Sequence, residues 1–585
     1  MLRLIRRYAA ALAALSMGLL ALAAPYLIPA NPDSAVFRSG TLGLILLCAC
    51  YVPVRRALAR HDARSLVYGG AFALIFAVCL SLGSELSIYD GLLPGMGSLL
   101  RRLAVPVMAA PALGALASFL FTLSPKEDVD GRRPIPFPAF FLLFVLCYGA
   151  VLLALWPGII SFDFPHEIAQ YTSGEYFAAH PVFHTLLLGG LYQLGEALFG
   201  SMNAGAALYS VVQLLLLAAM FAWSCVFVQR RVRRRSVVLA LAAFFALMPV
   251  HGAMAVSTAK DPLFSGLCVV LCLLLWEIAE DPDAFLCSGP RIARFAGCCL
   301  GIALLRHNGV FAFLPACIAL IAAARGRRGR AALVAVCALA VSMAVPRVLE
   351  ATVSAQSAPS SEMMSVPCQQ LMRTAEYADV TEEEYAELNS WFSEVTFRYR
   401  PHCADPAKGG NFAFERYQED PGAFWSMYLH YARKYPRAFV EAFLENCVGL
   451  WAPDDVSHAH SLGGEEGEYV YLTTVYTYTG YDIDATSRLP ALQKLIYAFM
   501  HDSVQQKYPA LAQLFAPATY SFLLLLATLL LAKRGHGRLA LTALPLWGIF
   551  LSLLFSAGIF VRYAYPIMSG APVLLALALF RREDA

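Results

Sequence analysis

The sequence predicts an all-α polytopic membrane protein. Three observations carry that expectation. Of 585 residues, 59% are hydrophobic and only 15% are charged. Mean hydropathy is +0.60. The apolar residues also fall in long continuous runs rather than in alternation. Soluble domains carry about 25% charged residues. Inside lipid every backbone polar group must be satisfied internally, which only helices and closed barrels achieve. Unbroken apolar runs favour helices over barrel strands.

The remaining composition excludes more than it suggests. A net charge of +3 carries no signature of a nucleic-acid partner. The 15 cysteines contain no CxxC pair and no Cys/His zinc spacing, and most sit in apolar runs as small apolar residues do. Cys368, Cys403 and Cys447 lie in a polar segment and would meet oxidising conditions if that segment is extracytoplasmic. Spacing alone leaves open whether Cys368 and Cys403 pair.

About fourteen spans are expected: near 8–29, 37–54, 65–86, 103–123, 136–157, 204–228, 236–253, 262–278, 292–305, 309–324, 331–349, 514–532, 539–559 and 564–580. Two are short for a helix that needs about 20 residues. The first follows Arg3, Arg6 and Arg7 and resembles a signal peptide, but so many similar spans follow that an uncleaved helix is expected. The positive-inside rule orients the set with both termini cytoplasmic. Arg55, Arg56, Arg60 and Arg64 then fall inside, as do Lys126, Arg132 and Arg133. Residues 181–199 are apolar enough to be another span. If they crossed, Arg230, Arg231, Arg233, Arg234 and Arg235 would lie outside, so a non-crossing juxtamembrane helix is expected there. Arg325 to Arg330, Lys533 to Arg538, and Arg581 with Arg582 then agree, and only Arg101-Arg102 offends.

Four parts follow: 1–134 with about four spans, a core at 135–349 with an outer loop at 157–203, an extracytoplasmic α/β domain at 350–513, and C-terminal spans at 514–585. At about 160 residues the third part is large enough to fold alone. Thr381 to Glu384 reads as a capping box opening a helix. The run Tyr469 to Tyr478 is rich in β-formers and is either a sheet face or a sugar-stacking surface.

The unusual polar residues all fall on the expected outer face. Asp163, His166, Glu167, His180 and His184 come from the first large outer loop, Lys260-Asp261 from a second, Arg306-His307-Asn308 from a tight turn, and Arg562-Tyr563 from the end before the last span. A charge near hydrocarbon is costly and usually has a partner. Arginine's planar fork suits phosphate. Cations facing an outer carboxylate can hold a lipid phosphate beside a general base, an arrangement worth about 10²–10⁴-fold in proton transfer, with the cations stabilising the departing phosphate. Plainer readings exist for each. Asp163 can cap the helix opening at Phe164-Pro165. Lys260 and Arg306 can be snorkelling anchors. His180 and His184 are at i, i+4 spacing, which suits a metal on a helix but equally suits interface histidines. Asp163, Glu167 and His180 can supply ligands to a divalent metal, yet no spacing demands one.

Taken together, these residues resemble the GT-C superfamily of membrane glycosyltransferases, which take a sugar from a polyprenyl-phosphate carrier. The matching features are span 136–157, Asp163, and the proline-led segment from His180-Pro181 to Phe199-Gly200. Similar still is a bacterial group of multi-span membrane proteins of unknown function with Pro157-Gly158, Asp163, His180-Pro181, Lys260-Asp261-Pro262, Arg306-His307-Asn308-Gly309 and Arg562-Tyr563 followed by Pro566. The resemblance covers roughly residues 136–580. It implies that Asp163 activates the acceptor, that Glu167 is a second catalytic acid, and that Arg306, Arg562 and Lys260 hold the donor phosphate. His166, His180, His184, Asp261, His307, Asn308 and Tyr563 would surround the substrates. One departure is that Phe164 follows Asp163 where many relatives carry a second acid.

The expected function is transfer of a sugar, with inversion, from a polyprenyl-phosphate donor to an extracytoplasmic acceptor (a cell-wall polymer, glycolipid or protein) at the bacterial plasma membrane. Two rivals share the composition: a transporter or flippase of lipid-linked glycans, and a non-catalytic scaffold whose outer domain binds wall polymer.

Overall fold

In the computed structural model, residues 1, 29–39, 61, 124–132, 233, 358–362, 394–398, 409–411, 454–482, 484–485, 501–503 and 582–585 lie outside the described part, and all other residues are described. The chain opens with α1 (Leu2–Ala23), α2 (Gly40–Arg60), α3 (Ala63–Tyr89) and α4 (Met96–Phe121), which pack on one another. The start of α3 is fixed by Asp62, whose side chain accepts from the Ser65 backbone N–H. Gly69 allows α3 and α4 to meet closely, since a Cβ there would lie 2.5 Å from the Gly114 carbonyl oxygen.

The core follows as α5 (Phe137–Ala154), α6 (Phe164–Ser173), α7 (Val182–Phe199), α8 (Met202–Arg231), α9 (Arg235–Leu247), α10 (Pro249–Ala255), α11 (Asp261–Glu280), α12 (Gly289–Leu305), α13 (Val310–Ala323) and α14 (Arg328–Thr352). Helix α11 is buried along nearly its whole length, packed by α8, α12 and the last helix of the chain. A polar lobe contains α15 (Ser365–Tyr377), α16 (Glu382–Asn389), α17 (Pro421–Lys434) and α18 (Pro436–Asn446) around Trp391, Phe412, Phe424 and Tyr431. Helices α19 (Pro517–Lys533), α20 (Leu544–Leu553) and α21 (Val561–Phe580) return to the bundle.

Among the described residues, eight helices are long and apolar enough to cross a membrane: α1 from Tyr8 onward with the turn that follows it, α3, α4, α5, α8, α11, α14 and α21. The chain is therefore a multi-pass helical membrane protein, with fewer long spans than the fourteen expected. The expected span 236–253 is the bent pair α9–α10, broken by 57° at Met248-Pro249, and counts as a ninth if taken as one crossing. The expected spans 309–324, 514–532 and 539–559 are shorter apolar helices. The segment 292–305 is α12, of 17 residues, and opens with Arg291 and Arg294. Helix α7 is not among the eight and folds back as a hairpin on the first turns of α8, with Gly195 against Ala204 and Gly205.

Two expectations for the polar lobe change. Among its described residues there is no strand, only isolated bridges such as Phe392 to Phe412, so its core is helical rather than α/β. The tyrosine run at 469–481 lies outside the described residues. The capping box is present: Thr381 Oγ1 accepts from the Glu384 N–H, and Glu384 accepts from the Thr381 N–H. Cys368 and Cys403 are both free and buried.

The loops that the charge pattern assigns to one side meet at one end of the bundle. Ile159 pairs with Ser257, Ala178 N–H donates to the Gln356 carbonyl at 2.8 Å, and Cys403 pairs with Gly558. Arg373 reaches the Asp90 carbonyl at 2.6 Å. The basic loops meet at the opposite end, where Lys533 donates to the Phe121 carbonyl and Arg534 to those of Leu123 and Ala578. Arg102, which broke the charge pattern, sits 3.3 Å from buried Glu85 on the neighbouring helix.

Candidate functional site

The site is built where two loops clasp. After α5 the chain passes through Trp156-Pro157, a cis peptide, to Gly158 at φ +125°. A Cβ at Gly158 would lie 2.8 Å from the Val256 carbonyl oxygen, so this close approach requires glycine. Ile159 N–H donates to the Val256 carbonyl at 2.9 Å, Thr258 N–H donates to the Ile159 carbonyl at 2.8 Å, and Ser161 N–H donates to Thr258 Oγ1 at 2.8 Å. These bonds lock the Asp163 loop to the Lys260 loop.

Asp163 stands at the start of α6, yet its side chain makes no capping bond. The carboxylate instead accepts from Lys260 Nζ at 2.7 Å, with Arg562 Nη1 3.7 Å away. Lys260 Nζ also lies 3.5 Å from His180 Nδ1 and 3.8 Å from Glu167 Oε1. Asp261, the first residue of α11, pairs with Arg306. Tyr563 joins the two arginines: its ring centroid is 4.5 Å from the Arg306 guanidinium carbon and 4.8 Å from that of Arg562, and its hydroxyl accepts from Arg562 at 3.1 Å. Lys260 and Arg306 are each held by a carboxylate.

Charge sets the protonation states. Burial works against the Asp163 carboxylate, but Lys260, Arg562 and His180 beside it hold its pKa far below the ordinary range. Burial likewise opposes the Lys260 ammonium, and Asp163, Glu167 and Asp261 outweigh it and raise the pKa. Burial and the Lys260 charge push His180 below its ordinary value. The centre at neutral pH is an ionised aspartate and a charged lysine beside a neutral imidazole.

Of the other expected residues, Glu167 and His184 form a second layer. Glu167 is fully buried, and its Oε2 is 2.5 Å from His184 Nδ1, which together with Lys260 keeps the carboxylate ionised against burial. His184 Nε2 is 2.7 Å from the Tyr209 hydroxyl, which donates to Gln213 Oε1 at 3.1 Å. Both His184 nitrogens are therefore engaged, and His180 lies before α7 rather than one turn along it, so the two histidines do not form a metal pair. His166 is exposed, its ring 6.1 Å from that of Phe162, and its charge bears on His180. His307 ties the tight turn to the Ala178 carbonyl at 2.8 Å, and Asn308 follows it in the same turn.

Sequence reasoning missed Tyr209 and Gln213. They lie within a span, but i, i+4 spacing puts both on one helical face, and two polar side chains on one buried face were the available signal.

A helical membrane bundle with a buried ion cluster where its loops converge defines the class. The chain matches DUF6020, a family of unknown function, over residues 170–585 and belongs to that family. No curated protein and no solved structure matches it. The family match begins after Asp163 and Glu167 and includes Lys260, Arg306 and Arg562.

Proposed function

We propose that the Asp163 cluster is the active centre of a membrane glycosyltransferase with a GT-C-like arrangement of spans. It moves a sugar from a polyprenyl-phosphate donor to an acceptor outside the cytoplasm of a bacterial cell, with residues 350–513 on that side. The observation that carries this reading is the convergence of one ionised carboxylate, Lys260 and Arg562 within 4 Å, with Arg306 stacked on the same Tyr563. In the reaction the acceptor hydroxyl loses its proton to the Asp163 carboxylate while its oxygen attacks the anomeric carbon. The bond from that carbon to the phosphate oxygen breaks on the opposite face, and Arg562, Arg306 and Lys260 stabilise the departing phosphate.

The resting pairs supply a control. Held by Lys260 and Arg562, Asp163 is a weak base. A donor phosphate competes for the same cations, and drawing them off Asp163 raises its basicity only when donor is bound. The test is incubation of purified protein in lipid with radiolabelled polyprenyl-phosphate sugars and a range of acceptors. Label leaving the carrier supports the reading, and no turnover of any donor by folded protein contradicts it.

One observation favours transport as a second reading. The bent pair α9–α10 is a broken helix, and at its break buried His251 lies 2.7 Å from the Tyr565 hydroxyl. Broken helices line substrate sites in many transporters. Movement of intact labelled donor across a sealed vesicle, without loss of its sugar, would favour that reading.

A further inference from the structure

Asp163, Glu167 and His180 each turn one donor atom toward a common point, all within 4.8 Å of one another. Two carboxylates and an imidazole are the ligand chemistry of zinc or manganese. The common point is already taken. Lys260 Nζ lies 2.7 Å from Asp163, 3.5 Å from His180 and 3.8 Å from Glu167. An ammonium offers three donors and no acceptor, which matches three facing acceptor atoms. Further groups close the cage: Arg562 beside Asp163, and His184 and Thr185 beside Glu167.

We infer that Lys260 is the resident cation of this cage, standing where a divalent ion would otherwise bind. Two consequences follow. The wild-type protein binds no metal at Asp163, and removing the ammonium uncovers a latent metal site, because Asp163 and Glu167 then lose the charge they share and keep only Arg562 and His184 at their outer edges. The catalytic consequence rests on the glycosyltransfer reading: sugar transfer runs without a divalent metal.

The test is titration of purified protein in detergent with Co²⁺, read by its visible absorption, and with Mn²⁺, read by electron paramagnetic resonance. Wild type, Lys260→Met, Lys260→Gln, Asp163→Asn and the Lys260→Met/Asp163→Asn double variant are compared. The expected result is no Asp163-dependent binding by wild type, one equivalent bound by at least one folded Lys260 variant, and loss of that equivalent in the double variant. One equivalent bound by wild type and lost in Asp163→Asn overturns the inference. So does a folded pair of Lys260 variants that bind none. Should wild type transfer sugar, chelator leaves the rate unchanged, and a tenfold or greater loss on chelation overturns the catalytic half. A protein inactive on every donor defeats the glycosyltransfer reading while the metal titrations still decide the cage.

Discussion

The Asp163 cluster and the cluster around Arg373 in the polar lobe both bury a cation among carboxylates, but they differ in access and in balance. Arg373 is 1% exposed and Glu445 0%, and the guanidinium is closed in by Glu441 at 2.8 Å, Glu445 at 2.5 Å, the Tyr399 hydroxyl at 2.8 Å and the Asp90 carbonyl. It joins α15 to α18 and both to the loop after α3, leaving no opening for a ligand. In the Asp163 cluster, Lys260, Asp163, Arg562 and Arg306 retain 10–15% exposure. Three cations there, from three separate parts of the chain, face Asp163, Glu167 and Asp261. Buried ions alone therefore do not mark a site. Partial access and several phosphate-fitting cations brought together from different parts of the chain distinguish a centre poised to exchange partners from one that only fastens the fold.

Paired substitutions probe the contrast most strongly. Arg373→Met removes the guanidinium that Glu441, Glu445, Tyr399 and the Asp90 carbonyl share and is expected to destabilise the lobe by about 3–5 kcal/mol, seen in denaturant or thermal unfolding. Arg562→Gln leaves Asp163 its Lys260 partner, so the unfolding transition stays in place while transfer falls by about 10²–10³-fold. If Arg562→Gln unfolds the protein as Arg373→Met does, the two clusters are alike and the distinction fails.

Tyr209→Phe sharpens the inner boundary of the site. It removes the hydroxyl that bridges His184 and Gln213 and should cost about 1–3 kcal/mol of stability, with transfer reduced less than tenfold. A larger loss of transfer, at unchanged stability, would move Tyr209 from support into the chemistry.

The smallest expected effect is a pH slope. Burial pushes Glu445 up to about 9, and Arg373 offsets this only in part. Glu441 is held below its ordinary value, against burial, by Arg437 and Arg373. The unfolded chain releases the Glu445 proton above about 4.5, and the folded chain keeps it to about 9. The Glu445 contribution to stability therefore falls as pH rises through that window. Glu445→Gln, which mimics the protonated acid, should flatten this part of the pH–melting curve, and an unchanged slope would contradict the assignment.

Much of this was legible in the sequence, for identifiable reasons. Arginine placement grouped the loops that meet at each end of the bundle. It also led to α7 being read as a non-crossing helix, and α7 is not among the eight long apolar helices. Asp163, Lys260, Arg306 and Arg562 came from that same grouping. What was not legible depended on tertiary geometry. Apolar length alone could not separate α13, α19 and α20 from full spans, nor show the bend at Pro249. The capping reading of Asp163 failed because an opposite charge at 2.7 Å outcompetes a backbone N–H. The pairing of His184 with Glu167 rather than with His180 depends on where α7 begins, and single-sequence boundaries do not resolve that.

The most direct test of the central claim is single-turnover transfer from a labelled polyprenyl-phosphate sugar by wild type beside Asp163→Asn, both in lipid, with donor binding measured in parallel. The account predicts that the variant still binds donor but transfers at least about 10²-fold more slowly. Transfer by Asp163→Asn at the wild-type rate would contradict it.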